Sequence, residues 1–302
     1  MYYYTLNEHL RKRFGCKVYK LALSANVTCP NRDGTKGSRG CIFCSAGGSG
    51  EFAASSGLPV AAQIEQAKQK IRPKTTAGSY IAYFQSFTNT YADISYLEEI
   101  FTCAIRHSQV AALSVATRPD CLPPEVLRLI EKLRRIKPVF VELGLQTIHE
   151  DTARYIRRGY DLPCYDKAVK NLLEVGAEPV THVILGLPFE TRRKMLETVS
   201  YVGKSGAKGI KLQLLHVLRG TDLEAEYKKG LFETMELDEY AGLLCDCIEL
   251  LPRDMVIHRL TGDGDKKLLI APWWSGDKKC VWNTIQKTFR ERDVEQGRLF
   301  LP

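Results

Sequence analysis

Apolar and polar positions alternate in two patterns along the chain, and together they predict its secondary structure. Six short apolar runs are bounded by turn residues, as buried strands are: 17–25, 79–87, 111–120, 138–147, 179–188 and 209–218. Between them lie segments with apolar residues at helical spacing: 60–72, 93–107, 123–136, 165–176 and 191–206. A helix after nearly every strand predicts parallel βα units, and therefore a barrel-like or a doubly wound sheet.

The unusual residues of the sequence fall where the predicted strands end. Cys29, Cys41 and Cys44 follow the first strand, and the later strands are closed or followed by QSFTNT, TRPD, Gln146, GLPFET and LRGT. The loops after parallel strands converge on one face of a βα fold. These residues are therefore expected to form one site.

The composition is that of a globular protein, with 44% hydrophobic and 26% charged residues in 302 positions. No apolar window approaches the roughly 20 residues needed to cross a bilayer, and the N-terminus lacks the pattern of a signal peptide. We therefore expect a cytoplasmic protein with no membrane partner. The net charge of +8 favours a polyanion such as nucleic acid as a partner, although many charge runs are simply solvated faces.

The chain has ten cysteines, too few for a disulfide scaffold, and only Cys29, Cys41 and Cys44 cluster in one loop. A structural zinc ion usually takes four protein ligands, and no fourth Cys or His lies in or just beyond the loop CPNRDGTKGSRGCIFC. A [4Fe-4S] cluster held by only three thiolates leaves one iron open to a chelating small molecule. The odd number of thiols suits such a cluster.

This loop, placed after the first strand of a six-strand βα body, closely resembles that of the radical S-adenosylmethionine (SAM) superfamily. Its first spacing of eleven residues matches the elongator-like branch, which comprises the elongator catalytic subunit and the small bacterial YtqA/YhcC (MnmL) family. The landmarks are CPNRDGTKGSRGCIFCSAGGSGEFA, ATRPD, ELGLQT, RRGYD, ILGLP and LRGT. The resemblance implies a partial (β/α)6 TIM-like barrel with residues 17–222 as its core. Residues 1–16 are then a basic and aromatic extension, and residues 223–302 a C-terminal extension that closes the barrel.

The resemblance also implies the site residues. Cys29, Cys41 and Cys44 would hold the cluster, and reductive cleavage of SAM on its open iron yields a 5′-deoxyadenosyl radical that abstracts a substrate hydrogen. The implied SAM contacts are Phe43, Gln85, Ser86, Thr117, Glu142, Gln146, Arg158 and His182. Of these, Phe43 offers its backbone to the adenine, and Gln85 and Ser86 stand near the amino group. Gln146 and Arg158 match positions that hold the ribose and the methionine carboxylate, which an arginine fork suits.

Two positions depart from the family pattern. Ala116 replaces the glutamate of an ETRPD motif, so a ribose contact is lost or moved to Thr117. His182 stands where some relatives have an aspartate that contacts SAM. A structural role in the core is the alternative for His182 and for Glu142.

The same kinship implies a substrate. The elongator subunit builds a carboxymethyl group on the wobble uridine of tRNA with a separate acetyltransferase domain, and the roughly 80 residues after the sixth predicted strand are short for one. We therefore expect removal of the carboxymethyl group from 5-carboxymethylaminomethyl-(2-thio)uridine to give 5-aminomethyl-(2-thio)uridine. The alternatives are a radical SAM enzyme with a small-molecule or protein substrate, and a non-catalytic metal-binding RNA module.

The implied partners are the anticodon loop of tRNA and a reductase or flavodoxin-type electron donor. Basic side chains that neutralise phosphates give affinity for RNA without sequence preference. Candidate stacking surfaces for splayed bases are Tyr2, Tyr3, Tyr4, Trp273 and Trp274, with ordinary packing as the alternative for each. His258 and Arg259, in the polar segment HRLTGDGD, are candidate contacts for the carboxylate of the substrate.

Overall fold

A seven-stranded parallel sheet curls into a half-barrel in the computed structural model, which describes residues 2–48, 50, 53–72, 78–262 and 264–302. The strands lie in the order β1 (Tyr19–Leu23), β2 (Tyr80–Phe84), β3 (Val110–Thr117), β4 (Val139–Gln146), β5 (Glu178–Leu185), β6 (Gly209–Leu214) and β8 (Val256–Arg259). Two short strands, β7 (Val217–Leu218) and β9 (Leu269–Ala271), pair antiparallel in a second sheet. Ser49, Glu51 and Phe52 of the cysteine-loop landmark and Asp263 of HRLTGDGD lie outside the described residues.

Helices pack around the half-barrel, most of them on its outer face. They are α1 (Leu6–Phe14), α2 (Val60–Ile71), α3 (Ile94–Arg106), α4 (Pro124–Arg134), α5 (Glu150–Tyr155), α6 (Leu162–Glu174), α7 (Arg192–Lys204), α8 (Asp222–Lys228), α9 (Leu237–Glu249) and α10 (Lys278–Glu291). Side-chain caps fix where several begin: Asp93 accepts hydrogen bonds from the backbone of Ser95 and Tyr96. The apolar faces of α2, α3, α4, α6, α7, α9 and α10 form the main core with the sheet. Within the described part of the chain, no helix is long and apolar enough to cross a membrane.

All six strands predicted from the sequence are confirmed, and a seventh, β8, is added to them. The sequence pattern places His258 and Arg259 in a polar loop, whereas in the structure they end β8. Val256 and Ile257 of this strand pair with β6, but two apolar residues are too short a run to indicate a strand. The boundary at residue 222 between the barrel core and the C-terminal extension stays a prediction. Strand β8 lies beyond that boundary in the sequence, yet it joins the sheet of the predicted core.

Helix α1 closes the amino end of the half-barrel. Its Leu10 is buried against side chains that point inward near the beginnings of the strands. These side chains are Val18, Ile81, Ala112, Phe140 and Val180, all of them buried. The interior is therefore apolar at this end, and its polar groups lie closer to the carboxyl ends of the strands.

Candidate active site

One cavity of about 250 Å³ opens at the carboxyl ends of the strands and collects most of the predicted site residues. Those that line it are Cys29, Cys41, Phe43, Cys44, Gln85, Thr117, Glu142, Gln146, Arg158, His182 and Arg259. Ser86 and His258 are not among the lining residues. Ser86 is buried against Gly50, and His258 lies deeper in the half-barrel beside Phe140.

The cysteine loop is held in shape by its own backbone and by Arg32. The amides of Arg32 and Asp33 donate to the carbonyl of Cys29 at 2.8 and 3.3 Å, and the amide of Cys44 donates to the carbonyl of Cys41 at 3.0 Å. The Arg32 guanidinium crosses the loop to the carbonyls of Cys44 and Ser45, at 3.2 and 2.6 Å. Together these bonds keep the three cysteines on one wall of the cavity.

Asn31 ties this loop to the segment after α5. Its side-chain amide donates to the carbonyl of Arg157 at 2.6 Å and lies 3.5 Å from the sulfur of Cys41. A hydrogen bond from Cys44 is the main cause that lowers the pKa of Cys41 to about 7, against burial and with help from Arg118 and Asn31. A thiol that readily becomes a thiolate is the donor that an iron–sulfur cluster requires.

The thiols do not converge as the ligands of one ion would. Among the residues that the structure describes, no three His, Cys, Asp or Glu side chains meet at a point that a single metal ion could occupy. All ten cysteines are free of disulfides, and the three of the loop are partly exposed to the cavity.

Gln146 presents an unsatisfied oxygen at the end of β4. Its Oε1 is buried and has no hydrogen-bond partner in the described chain, and its backbone is in the left-handed region with φ of +69°. A buried acceptor without a partner is costly, and strained residues of this kind cluster at ligand sites. Gly144 lies beneath this amide, because a Cβ there would come within 2.9 Å of Gln146 Nε2. This arrangement suits a ligand that donates a hydrogen bond, such as a ribose hydroxyl.

Arg158 is fixed by the protein around it. It is 2% exposed, and its guanidinium donates to the carbonyls of Tyr160 and Thr147 at 2.9 and 2.6 Å and to Glu150 at 2.8 Å. The resemblance implies that the Arg158 guanidinium binds a carboxylate of SAM, but most of its N–H groups hold the loop after β4 instead. Its contact with the SAM carboxylate stays a prediction, which only the N–H groups not engaged in these bonds can serve.

A layer of charged side chains forms the floor of the cavity, with Glu142 at its centre. Glu142 Oε1 accepts from Lys20 at 2.6 Å and from Ser114 at 2.8 Å. Its Oε2 accepts from Lys211 and, at 2.8 Å, from His182 Nε2. Both oxygens are thus occupied by protein donors, as the structural alternative for Glu142 and His182 requires. We call Lys20, Tyr83, Glu142, His182, Lys211 and Arg259 the charged floor.

Burial and neighbouring charges act in opposition on the pKa values of the charged floor. Burial disfavours the charge on Glu142, yet the Lys20 and Lys211 charges and the His182 hydrogen bond hold its pKa well below its usual range. Burial, assisted by the Lys211 charge, lowers the pKa of His182 to about 4. Burial also lowers the pKa of Lys211 to about 7, although Glu142 favours the charged form. His182 is therefore neutral near pH 7 while Glu142 is ionised.

The TRPD landmark forms a clamp beside the cysteine loop. Arg118 binds Asp120 through two hydrogen bonds of 2.9 Å, and Lys36 of the cysteine loop approaches Asp120 at 2.8 Å. The Arg118 guanidinium also lies over the Tyr160 ring, 5.1 Å from its centroid. Thr117, just before the clamp, shares a hydrogen bond of 2.5 Å with Thr90, and Ala116 lines the cavity without a polar group.

The proposed stacking aromatics differ in exposure. Tyr2 and Tyr3 pack edge-on against the buried ring of Phe289, as the alternative of ordinary packing requires, and their stacking on RNA stays a prediction. Trp274 donates its Nε1–H to the carbonyl of Met235 at 2.9 Å and packs near Tyr240. Trp273, in contrast, is 85% exposed.

The residue pattern alone missed Lys20 and Lys211 as parts of the site. Each is a lysine inside an otherwise apolar strand, in KVYKLAL and GIKLQLL. A charge among buried neighbours is a signal of a polar interior, since an isolated buried charge is too costly to keep. The partner that each lysine meets could not be read from that signal.

Comparison with known proteins identifies related chains. Residues 32–202 match the model of the Radical SAM superfamily, and residues 207–291 match the Radical_SAM C-terminal domain. The chain is 44% identical to "Uncharacterized protein YtqA" of Bacillus subtilis, covering 99% of this chain and 92% of that protein. It is 33% identical to "Protein YhcC" of Escherichia coli, covering 97% of this chain and 95% of that protein.

More distant matches extend the likeness. The chain is 30% identical to "tRNA uridine(34) acetyltransferase" of Dehalococcoides mccartyi over 50% of its own length and 33% of that protein. The solved structure of the archaeal Methanocaldococcus infernus Elp3 superposes with a TM-score of 0.68 at 18% identity, covering 92% of this chain and 64% of that one. At this identity the structural match supports the half-barrel fold alone.

Proposed function

Because the chain belongs to the radical SAM superfamily and, within it, to the elongator-like family of YtqA and YhcC, we propose that it modifies the wobble uridine of tRNA. It is a radical SAM enzyme, and enzymes of this superfamily use a [4Fe-4S] cluster and SAM. The reaction proposed is removal of the carboxymethyl group from 5-carboxymethylaminomethyl-(2-thio)uridine. The observation that carries the proposal is that the cysteine loop and most of the charged floor line the same cavity.

The residues at the mouth of the cavity fit the cofactors. Cys29, Cys41 and Cys44 supply three sulfur donors from one loop, and the lowered pKa of Cys41 favours its thiolate form. The buried acceptor of Gln146 suits a ribose hydroxyl of SAM. When bound, the cluster and SAM supply a 5′-deoxyadenosyl radical, and the protein orients the substrate and excludes water.

The family likeness and the charge of the chain support tRNA as the substrate. One partial relative is named for uridine 34 of tRNA, and the net charge of +8 suits a polyanion. A wobble base can leave the anticodon loop and enter a pocket, at a cost of a few kcal/mol for unstacking. Trp274 lines a second pocket, which shares Gly262 and Leu214 with the main cavity. Trp273, its neighbour in the sequence, is exposed, and we propose that it stacks on a base next to the wobble position.

The chemistry of the side chain makes this reaction feasible. The methylene between the amine and the carboxylate loses a hydrogen atom to form a carbon radical that both neighbours stabilise. Loss of one further electron and a proton, to a one-electron acceptor of the iron–sulfur or flavodoxin class, gives an imine. Water then hydrolyses the imine, which breaks the bond between nitrogen and carbon and releases glyoxylate and the primary amine, 5-aminomethyluridine.

Anaerobic reconstitution tests the proposal. The protein loaded with iron, sulfide and SAM is reduced and incubated with tRNA that carries 5-carboxymethylaminomethyluridine. We expect 5′-deoxyadenosine, glyoxylate and the 5-aminomethyl nucleoside by mass spectrometry. The Cys41→Ala variant serves as the control and should lose the cluster and all three products together.

Two results would reject parts of the proposal. Formation of 5′-deoxyadenosine without any change in the wobble nucleoside would indicate a radical SAM enzyme with another substrate. Absence of SAM cleavage by reduced protein that carries its cluster would favour the non-catalytic RNA module.

A further inference from the structure

Phe87, in the loop after β2, has a backbone conformation that a bulky residue rarely adopts. Its φ is +59°, in the left-handed region, where the Cβ crowds the neighbouring backbone. Such a conformation persists only where the surroundings fix it, and residues of this kind cluster at ligand sites. Phe87 also lines the main cavity, together with the three cysteines. Its strained position is therefore expected to serve the site.

The Phe87 ring lies against Gly48, which follows the last cysteine of the loop, Cys44. A Cβ at Gly48 would come within 2.4 Å of this ring, so a larger residue there would displace it. The φ of Gly48 is +58°, which also favours glycine. The Phe87 amide donates to the Gly48 carbonyl at 3.1 Å. The ring and the backbone of Phe87 thus hold the chain just beyond the cysteine loop.

The same ring also contacts Arg32, close to the first cysteine of the loop. The guanidinium carbon of Arg32 lies over the Phe87 ring, 5.6 Å from its centroid, as in a cation–π interaction. This guanidinium donates to the carbonyls of Cys44 and Ser45 at 3.2 and 2.6 Å. Phe87 therefore restricts the side chain that crosses the cysteine loop, in addition to the backbone at its end.

Packing into the hydrophobic core does not account for the position of Phe87. Phe84, at the end of β2, is fully buried in the main core, whereas Phe87 belongs to none of the three hydrophobic clusters that the described residues form. Gln85 and Ser86, which the resemblance places near the amino group of SAM, immediately precede Phe87. Phe87 is thus joined to these residues by the chain and to the cysteine loop by contact.

We propose that Phe87 is a positioning residue that joins the loop after β2 to the cysteine loop. Its ring acts through Arg32 and Gly48, so that the three thiols keep one arrangement relative to Gln85 and Ser86. A small displacement of a positioning group is costly, because bound groups must be held in a defined geometry. The inference goes beyond the proposed function, since it concerns the cofactors of the whole superfamily and not the substrate.

Removal of the ring tests this role. Phe87→Ala is compared with Phe189→Ala in protein that is loaded anaerobically with the cluster. Phe189 is the matched control, because its φ is +65° but its side chain is 66% exposed and does not line the cavity. We expect SAM affinity, measured by equilibrium dialysis, to fall about tenfold in Phe87→Ala alone. The same variant should also lose iron to a chelator faster than the wild type, since its cysteine loop is held less firmly.

Further substitutions of Phe87 separate the ring from the backbone. Phe87→Tyr keeps an aromatic face for Arg32 and should retain most of the SAM affinity. Phe87→Gly accepts a left-handed backbone without strain, so it should unfold at a higher temperature than Phe87→Ala and yet bind SAM as weakly. The change that SAM causes in the electron paramagnetic resonance spectrum of the reduced cluster should persist in Phe87→Tyr and diminish in Phe87→Ala and Phe87→Gly. If Phe87→Ala does not fold, Phe87→Leu, which keeps apolar bulk without an aromatic face, takes its place.

Three results would overturn the positioning role of Phe87. The first is wild-type SAM affinity and iron retention in Phe87→Ala, and the second is an equal loss of both in Phe189→Ala. The third is a set of SAM affinities that follow the unfolding temperatures of the Phe87 variants, which would indicate a role in stability alone. None of these measurements involves RNA, so their outcome leaves the proposed tRNA reaction unaffected.

Discussion

At the scale of single residues, Gly144 is the position where one added methyl group should change ligand binding. A Cβ there would come within 2.9 Å of Gln146 Nε2, the far end of a flexible side chain that can move. Gly144→Ala should therefore leave the free energy of unfolding nearly unchanged but displace the side-chain amide of Gln146, whose oxygen has no hydrogen-bond partner in the described chain. We expect SAM affinity to fall about tenfold, the equivalent of one hydrogen bond.

Equilibrium dialysis of SAM against cluster-loaded protein measures this effect. Gly242→Ala in α9 is the matched control, because a Cβ at that position meets nothing within 4 Å. It should keep the SAM affinity and raise stability by roughly 0.5–1 kcal/mol. Unchanged SAM affinity in both Gly144→Ala and Gln146→Ala would contradict the role of Gln146.

Lys211 gives a second prediction at this scale, through its titration. Its pKa falls from the ordinary value of 10.5 to about 7 in the folded state, chiefly through burial. Between these values the unfolded chain binds more protons, so the free energy of unfolding gains a contribution that rises with pH. The groups that face this lysine are Lys20, Tyr83, Glu142, His182, His258 and Arg259.

Lys211→Met isolates the contribution of this one group. We expect the unfolding temperature of the wild type, relative to the variant, to increase from pH 7 to pH 9. Calorimetry of both cluster-loaded proteins at the two pH values measures the difference. A difference that stays constant or falls would show that Lys211 does not titrate in this window.

Local spacing explains which residues of the site could be predicted from the sequence. Cys29, Cys41 and Cys44 lie in one loop, so their chemistry can be inferred from the sequence alone. Lys20 and Lys211 lie far apart in the sequence and meet around Glu142 and the ring of Tyr83. Arg158 shows the converse, because it lines the cavity while most of its donors bind the protein itself.

At the scale of elements, α1 is expected to stabilise the half-barrel by filling its amino end. Leu10 is 2% exposed and packs among inward-facing side chains of several strands. Leu10→Ala should cost about 2–5 kcal/mol, since the surrounding strands cannot collapse onto the gap. Arg11→Ala, on the exposed side of the same helix, should change stability by less than about 0.5 kcal/mol.

Thermal or urea unfolding compares the two variants. If Leu10→Ala proved as stable as Arg11→Ala, the helix would not be part of the barrel core. SAM affinity provides a second readout and should be the same in both, because α1 lies at the end of the half-barrel away from the cysteine loop.

Elements with a long periodic pattern were predictable, and short ones were not. The six predicted strands and the five predicted helices, α2, α3, α4, α6 and α7, come from runs long enough to show their period. Strand β8 spans only four residues, and its identity depends on pairing with β6. The antiparallel pair of β7 and β9 likewise depends on contacts between distant segments.

At the scale of the whole molecule, the net charge predicts how RNA binding responds to salt. Each phosphate contact releases counterions, so affinity falls linearly on logarithmic axes as salt rises. We expect the affinity for tRNA to fall at least about tenfold between 50 and 200 mM salt. Fluorescence anisotropy with labelled tRNA measures the slope, and affinity independent of salt would argue for a substrate other than nucleic acid.

Isotope transfer tests the central claim most directly. The substrate is tRNA whose wobble nucleoside carries deuterium on the methylene between the amine and the carboxylate. The account predicts one deuterium atom in the 5′-deoxyadenosine that forms, together with the 5-aminomethyl nucleoside. Conversion of this tRNA with 5′-deoxyadenosine that contains no deuterium would contradict it.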